Sequence, residues 1–204
     1  GIGLGPTEGS TGGTGTLAVD AGGKVTYGGV IASAGNTGDQ VLIKTGDGTL
    51  VLNGANTFTG TTRVADGLLA GNGTLASSLV VEPGAVFDPG ITAVGNFTLN
   101  GGVQLAGTLG IDITGSNAAD IDLLTIAGLL DLSSGTATLE LDATVPLTDP
   151  AYVFATYGTL SGVFASVTNL PTGYAVDYAY QGNSIAIVPV PEPINVALGL
   201  FGAV

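Results

Sequence analysis

The chain has 204 residues, with 16 acidic and three basic residues, a net charge of −13 and no cysteine or histidine. These values exclude disulfides and thiolate metal sites, and they argue against nucleic-acid or anionic-lipid partners because both need many Lys and Arg residues. A hydrophobic fraction of 45% also argues against disorder, while a charged fraction of only 9% favours self-association.

Residues 1–15 form a Gly-rich N-terminal arm without a clear strand pattern. Its large apolar side chains are Ile2 and Leu4, which are too few to build a core. The printed sequence starts at Gly1 rather than Met, so we expect a secretion signal to have been removed upstream.

Short apolar runs separated by Gly, Asn and Asp occupy residues 16–145 and predict an all-β domain. The clearest stretch is 45–73, where three runs (49–52, 61–64 and 67–70) are too short to be helices. The tripeptide Gly-Thr-Leu recurs at irregular intervals, starting at Gly15, Gly48, Gly73, Gly107 and Gly158. This pattern predicts a short, irregular parallel β-solenoid, in which loops absorb the differences in length.

The second half of the chain leaves an alternative open. Asn100-Gly101-Gly102 is typical of a hairpin turn, and a β-sandwich-like second half is the alternative to a continuous solenoid. Residues 146–188 are richer in tyrosine and predict a small C-terminal β-cap that covers the last coil. Residues 189–204 form an apolar tail, whose run from Ile194 to Val204 is shorter than the ~20 residues that a membrane-spanning helix needs.

The apolar residues at both ends of the chain need a partner surface. Strand addition would satisfy their backbone and bury their side chains, either on the same solenoid or on a neighbouring copy. The predicted subunit-contact residues are Ile2, Leu4, Ile194, Val196, Leu198, Leu200 and Phe201.

Candidate sites for chemistry are few. Asp120 and Asp122 are weak candidates for Ca²⁺ ligands, and the alternative is that they are solvated edge or loop carboxylates. A catalytic triad needs histidine, and Ser–Lys catalysis would have to use Lys24 or Lys44, which we expect to protect strand edges. We therefore predict no catalytic residue and no cofactor.

Three segments resemble known bacterial sequences. Residues 46–67, GDGTLVLNGANTFTGTTRVADG, resemble the autotransporter-associated β-strand repeat, which implies a right-handed parallel β-helix. Residues 120–188 resemble the distal part of large secreted proteins that carry this repeat. Val190-Pro191-Glu192-Pro193 resembles the PEP-CTERM sorting signal, which implies export and processing by an exosortase. The apolar run is shorter than in that signal, and no basic cluster follows it in the printed sequence.

The sequence thus predicts a non-enzymatic structural protein, outside the cell or on the surface of a Gram-negative-type bacterium. Its predicted partner is itself, because copies joined head to tail would build a filament or a surface or biofilm-matrix layer. The alternative is a monomeric, surface-anchored or secreted adhesin that binds extracellular polysaccharide. No stable transmembrane span is expected.

Overall fold

The computed structural model describes residues 2–4, 13–33, 40–91 and 93–191, and every regular element in these ranges is a β-strand. Short runs rich in Thr, Val, Leu and Ile between Gly and Asn turns favour strands over helices. The strands in chain order are β1 (Ile2–Leu4), β2 (Gly13–Ala18), β3 (Lys24–Tyr27), β4 (Ile31–Ser33), β5 (Gln40–Thr45), β6 (Thr49–Leu52), β7 (Ala55–Asn56), β8 (Thr61–Val64), β9 (Leu68–Gly71), β10 (Thr74–Leu75), β11 (Ser78–Val81), β12 (Val86–Pro89), β13 (Asn96–Leu99), β14 (Val103–Leu105), β15 (Thr108–Ile113), β16 (Leu123–Ile126), β17 (Leu129–Leu132), β18 (Thr138–Ala143), β19 (Tyr152–Thr156), β20 (Thr159–Gly162), β21 (Ser166–Thr168), β22 (Tyr174–Tyr180) and β23 (Ser184–Pro189).

Three seven-stranded sheets run the length of the molecule, and successive coils of the chain add one strand to each. The first sheet has the order β2-β5-β8-β11-β14-β17-β20, the second β3-β6-β9-β12-β15-β18-β21, and the third β7-β10-β13-β16-β19-β23-β22. All pairings are parallel except those of β23, and β1 pairs with β4 separately. The predicted parallel β-solenoid is confirmed. The sandwich alternative is wrong, because β13 to β21 continue the same three sheets.

The core is built from rows of inward side chains that repeat from coil to coil. In the second sheet one row starts at Val25 and ends at Val167, and its buried members are Leu50, Leu69, Phe87, Leu109 and Leu139. These five side chains are at most 1% exposed. Burying a Leu or Phe side chain stabilises a fold by roughly 1.5–3 kcal/mol, so such rows are a main source of stability.

The coils differ in length, which explains the irregular repeat in the sequence. Residues paired one coil apart are separated by 17 positions between Thr62 and Leu79, and by 30 between Leu130 and Leu160. The Gly-Thr-Leu tripeptides also lie in different sheets, on β2 and β20 in the first, β6 and β15 in the second, and β10 in the third. The tripeptide therefore does not mark a fixed point of each coil.

The stretch 45–73 is longer than one coil. Its first and third predicted runs are strands β6 and β9, and these two strands pair with each other, Leu50 opposite Leu69. Between the first two runs, Ala55 and Asn56 form the short strand β7, which supplies the third sheet of that coil. The prediction at Asn100-Gly101-Gly102 is wrong as a hairpin. It is a corner, because β13 lies in the third sheet and β14 in the first.

Asn56 ties three coils together from inside the repeat. Its side chain is 1% exposed, and its Oδ1 accepts the N–H of Ile31 at 3.0 Å. Its Nδ2 donates to the carbonyl oxygens of Gly54 at 3.1 Å and Thr74 at 3.2 Å. One buried amide thus bonds to backbone groups of three coils, and buried polar groups left without partners are costly.

We expect Asn56→Ala to lower the free energy of unfolding by about 2 kcal/mol, because the buried N–H of Ile31 loses its acceptor and the carbonyl oxygens of Gly54 and Thr74 each lose a donor. Urea denaturation followed by circular dichroism measures this change. The matched control is Asn53→Ala, whose exposed side chain accepts one bond, from the N–H of Asn72 at 3.0 Å, and which should cost about 1 kcal/mol or less. Equal losses in the two variants would contradict the bridging role of Asn56.

At the C-terminal end, β19, β20 and β21 extend the three sheets, and the β22–β23 hairpin then adds antiparallel strands to the third. Tyrosine hydroxyls hold this hairpin to the last coils. Tyr157 donates to the carbonyl oxygen of Tyr178 at 2.5 Å, and Tyr174 donates to that of Leu147 at 2.9 Å. The Tyr178 hydroxyl accepts the N–H of Phe164 at 3.2 Å. The hairpin therefore adds strands beyond the last coil in the third sheet only.

Candidate functional site

Three aspartates from two successive coils meet where the second sheet turns towards the third. They are Asp88 on β12, Asp112 on β15 and Asp122, directly before β16. One carboxylate oxygen from each lies within 4.8 Å of the others. Asp142 on β18 extends this acidic cluster, since it is paired in register with Asp112.

Asp122 is the buried anchor of the cluster. Its side chain is fully buried, its Oδ1 accepts the N–H of Gly95 at 2.6 Å, and its Oδ2 accepts the N–H of Asp112 at 2.8 Å. Burial raises the pKa of this carboxyl to about 7, although the two N–H bonds oppose the shift and the charges of Asp88 and Asp112 add to it. The carboxyl of Asp122 therefore stays partly protonated near neutral pH.

Asp88 is the least satisfied member of the cluster. Its Oδ1 is buried and has no hydrogen-bond partner. Burial, and then the charge of Asp112, raise the pKa of Asp88 to about 6. Burial and the charge of Asp142 likewise raise the pKa of Asp112. Charges this close are relieved either by protons or by a bound cation.

The structure places the predicted pair Asp120 and Asp122 in different settings. Asp120 closes its own loop, where its Oδ2 accepts the backbone N–H of Asn117 at 3.1 Å and its Nδ2–H at 2.8 Å. Asp122 instead meets Asp88, which sequence reasoning missed. The sequence signal for Asp88 was the alternation in β12, VFDP, which puts Val86 and Asp88 on the less buried face of that strand. No sequence feature sets the register of β12 against β15. Calcium binding stays a prediction.

The basic residues are used structurally or lie at an edge. Lys44 is fully buried, and its Nζ donates to the carbonyl oxygens of Gly46 at 2.6 Å, Asp66 at 2.9 Å and Thr45 at 3.2 Å. Burial lowers the pKa of Lys44 against the opposing charges of Asp66 and Asp47. The prediction that Lys44 protects an edge is wrong, because β5 lies between β2 and β8.

The other two basic residues, Lys24 and Arg63, are exposed. Lys24 lies on β3, the outermost strand of the second sheet, as an edge-protecting lysine would. Arg63 forms an ion pair with Glu82, with 2.7 Å between Nε and Oε1. The absence of catalytic residues stays a prediction.

Most of the predicted terminal contacts lie outside the described residues. These are Glu192 and Pro193 of the sorting motif and the tail residues Ile194, Val196, Leu198, Leu200 and Phe201. Ile2 and Leu4 lie on β1, where they pair with Ile31 and Ser33 of β4. Val190 is 51% exposed, and Pro191 is the last described residue. The described residues contain no helix with the length and apolar character needed to cross a membrane.

Part of the chain matches a known family of repeats. Residues 42–70 match the model of the passenger-associated-transport-repeat, so the resemblance seen over 46–67 is confirmed. No curated protein matches the chain. The PEP-CTERM resemblance of the tail stays a prediction. The repeat and the β-solenoid together indicate a passenger-like β-helical protein of the secreted or cell-surface class.

Proposed function

We propose that this protein is an extracellular structural β-helix whose copies associate head to tail into a filament or a layer at the bacterial surface. The proposal rests on one observation, which is that the first and second sheets each have an unpaired edge strand at both ends of the solenoid. Within the described ranges, no strand lies beyond β2 and β3 at one end or beyond β20 and β21 at the other. Free edges present unpaired N–H and C=O groups, and a contact between unlike ends propagates without closing.

The exposed end of the core supports the same arrangement. Val25 is 45% exposed, whereas Leu50, the next residue of its inward row, is 1% exposed. Val167 ends that row in the last coil. A second copy stacked end to end would cover Val25 with apolar surface, and each Å² of apolar area buried contributes roughly 25 cal/mol.

The charge distribution distinguishes the two ends. The exposed Lys24 lies on the first strand of the second sheet, whereas the sequence holds no Lys or Arg after Arg63. The net charge of −13 makes whole copies repel one another. Because salt screens long-range repulsion more than short contacts, we expect association to strengthen between low and moderate ionic strength.

We expect Val25→Lys to weaken association at least tenfold, because an inward-pointing charge at a sheet edge blocks strand addition. Sedimentation velocity over a concentration series, with negative-stain electron microscopy, measures the assembly. Gln104→Lys is the matched control, since Gln104 is exposed on the middle strand β14, and it should assemble like the unmodified chain. A chain that stays monomeric at high concentration, or a Val25→Lys variant that assembles normally, would refute head-to-tail association.

The β22–β23 hairpin favours a second candidate, a monomeric stalk or adhesin. Its antiparallel strands end the parallel order of the third sheet, so a further coil cannot continue that sheet in the same way. In this case the sides of the solenoid, not its ends, would contact extracellular polysaccharide. Glycan-array binding by a monomeric sample would support this candidate.

A further inference from the structure

A cleft of about 530 Å³ lies beside the end of β18, near the C-terminal hairpin. Its walls come from the segment that follows β18 and from the loop that precedes β22. The apolar lining residues include Leu141, Ala143, Val145, Leu147 and Pro171. Asp142, Thr144 and Asn169 add polar groups to the lining.

The floor of the cleft is a free strand edge. On one side β18 pairs with β15 along its whole length, as far as Ala143 opposite Ile113. On the other side its pairing with β21 stops at Glu140 opposite Thr168. Thr144 donates its N–H towards β15, to Ile113 O at 3.0 Å, so the N–H and C=O of Ala143 point the other way. No strand in the described ranges lies along that side of 141–143.

The chain leaves the described structure at the rim of this cleft. Val190 donates its N–H to the carbonyl oxygen of Gly173 at 2.7 Å, and Gly173 is two residues from Pro171 in the cleft wall. The residues that follow Pro191 are EPINVALGLFGAV, with one acidic residue and no basic one. An extended strand advances about 3.3 Å per residue, so the 13 residues 192–204 can extend over about 40 Å.

We propose that the apolar segment 194–204 adds as a strand to the free edge of β18 in this cleft of its own chain. Its backbone then pairs with residues 141–143, and its side chains cover Val145, Leu147 and Pro171. The segment carries no charge that Glu140 or Asp142 on β18 would repel. Because it starts at the rim, its effective concentration is in the millimolar range, which favours its own chain over a neighbour. This docking is independent of head-to-tail association.

Amide hydrogen exchange of the full chain, compared with a chain that ends at Pro191, tests the docking. We expect the Ala143 amide to exchange at least tenfold faster in the shortened chain, because it loses its strand partner. The amide of Leu109 in the buried middle of β15 is the internal control, and it should be unchanged if the solenoid stays folded. Unchanged exchange at Ala143 would overturn the proposal.

A mixing experiment distinguishes docking of the chain's own segment 194–204 from docking of a neighbour's segment. Isotope-labelled shortened chain is mixed with an excess of unlabelled full chain, and exchange is read on the labelled chain. Protection of its Ala143 amide would mean that a neighbour's segment occupies the cleft, which overturns docking within one chain. We expect no protection.

A second variant leaves the backbone of β18 intact. Val145→Asp combined with Leu147→Asp places two charges in the cleft wall, and we expect it to raise Ala143 exchange in the full chain at least tenfold. The same double substitution in the shortened chain should have little further effect on that amide. If the full-length variant keeps Ala143 protected, the cleft is not the docking site.

Discussion

Gly60→Ala is expected to lower the free energy of unfolding by about 3 kcal/mol, because two coils approach each other at this position. A Cβ at residue 60 would overlap the backbone of Gln40 in the preceding coil, its carbonyl oxygen first. Neighbouring strands are held about 4.8 Å apart by their hydrogen bonds, so the coils can separate only by losing pairing. Urea denaturation of the purified variant measures the change.

Gly28→Ala is the matched control for this prediction. Gly28 lies in the loop between β3 and β4, and an added Cβ would meet nothing within 4 Å. We expect its effect to stay within about 0.5 kcal/mol. If the two variants lose the same stability, close approach of the coils is not the reason for glycine at position 60.

The acidic cluster should make the protein less stable as the pH rises. The pKa values of Asp88 and Asp122 are raised from the ordinary 3.8 to about 6 and about 7, so the folded chain binds protons that the unfolded chain releases. Their favourable contribution is complete below about pH 4 and is lost as the pH rises through 6 and 7. We expect a loss of several kcal/mol between pH 4 and pH 8, measured by urea denaturation at each pH.

The variant Asp88→Asn tests the source of this dependence. Removing one charge lowers the repulsion on Asp122 and Asp112, so the variant should be more stable than the unmodified chain at pH 8 by about 1 kcal/mol. At pH 4 the two should be nearly equal, because the carboxyls are protonated. Asp20→Asn, at an exposed position in the first coil, is the control and should leave the pH dependence unchanged. A variant with the full pH dependence would show that the cluster is not its cause.

Adding calcium distinguishes proton binding from cation binding as the way in which the carboxylate repulsion of the acidic cluster is relieved. Both carboxylate oxygens of Asp122 already accept backbone N–H groups, which leaves fewer lone pairs for a cation. We therefore expect millimolar Ca²⁺ at pH 8 to leave the midpoint of thermal unfolding unchanged within about 1 °C. A rise of several degrees that Asp88→Asn abolishes would instead identify a calcium site.

The sequence was informative where one coil is nearly regular. The runs 49–52 and 61–64 are strands as predicted, and the match over 42–70 rests on the same residues. The bridging role of Asn56 could not be predicted, because it depends on Ile31 and Thr74 in adjacent coils. A polar residue between apolar runs reads as a turn unless its long-range partners are known.

The acidic cluster lay beyond sequence reasoning for a related reason. Asp112 and Asp122 are close in the chain, but Asp88 joins them only through the register of β12 against its neighbours. Loops of different length connect the coils, so the register cannot be counted from a fixed period. The free edge of β18 could not be predicted for the same reason, since nothing in the sequence shows where β21 ends.

By itself, the sequence determined the class of fold and the type of chain. Short apolar runs between Gly and Asn turns exclude helices, which need longer runs, but they left both a continuous solenoid and a sandwich-like second half open. The tertiary structure alone decided which residues meet across coils. That choice fixed the buried amide of Asn56, the buried ammonium of Lys44, the grouping of Asp88 with Asp122, and the open edges at both ends. Contacts one coil apart depend on loop lengths and on inter-strand hydrogen bonds, and neither leaves a local pattern in the sequence.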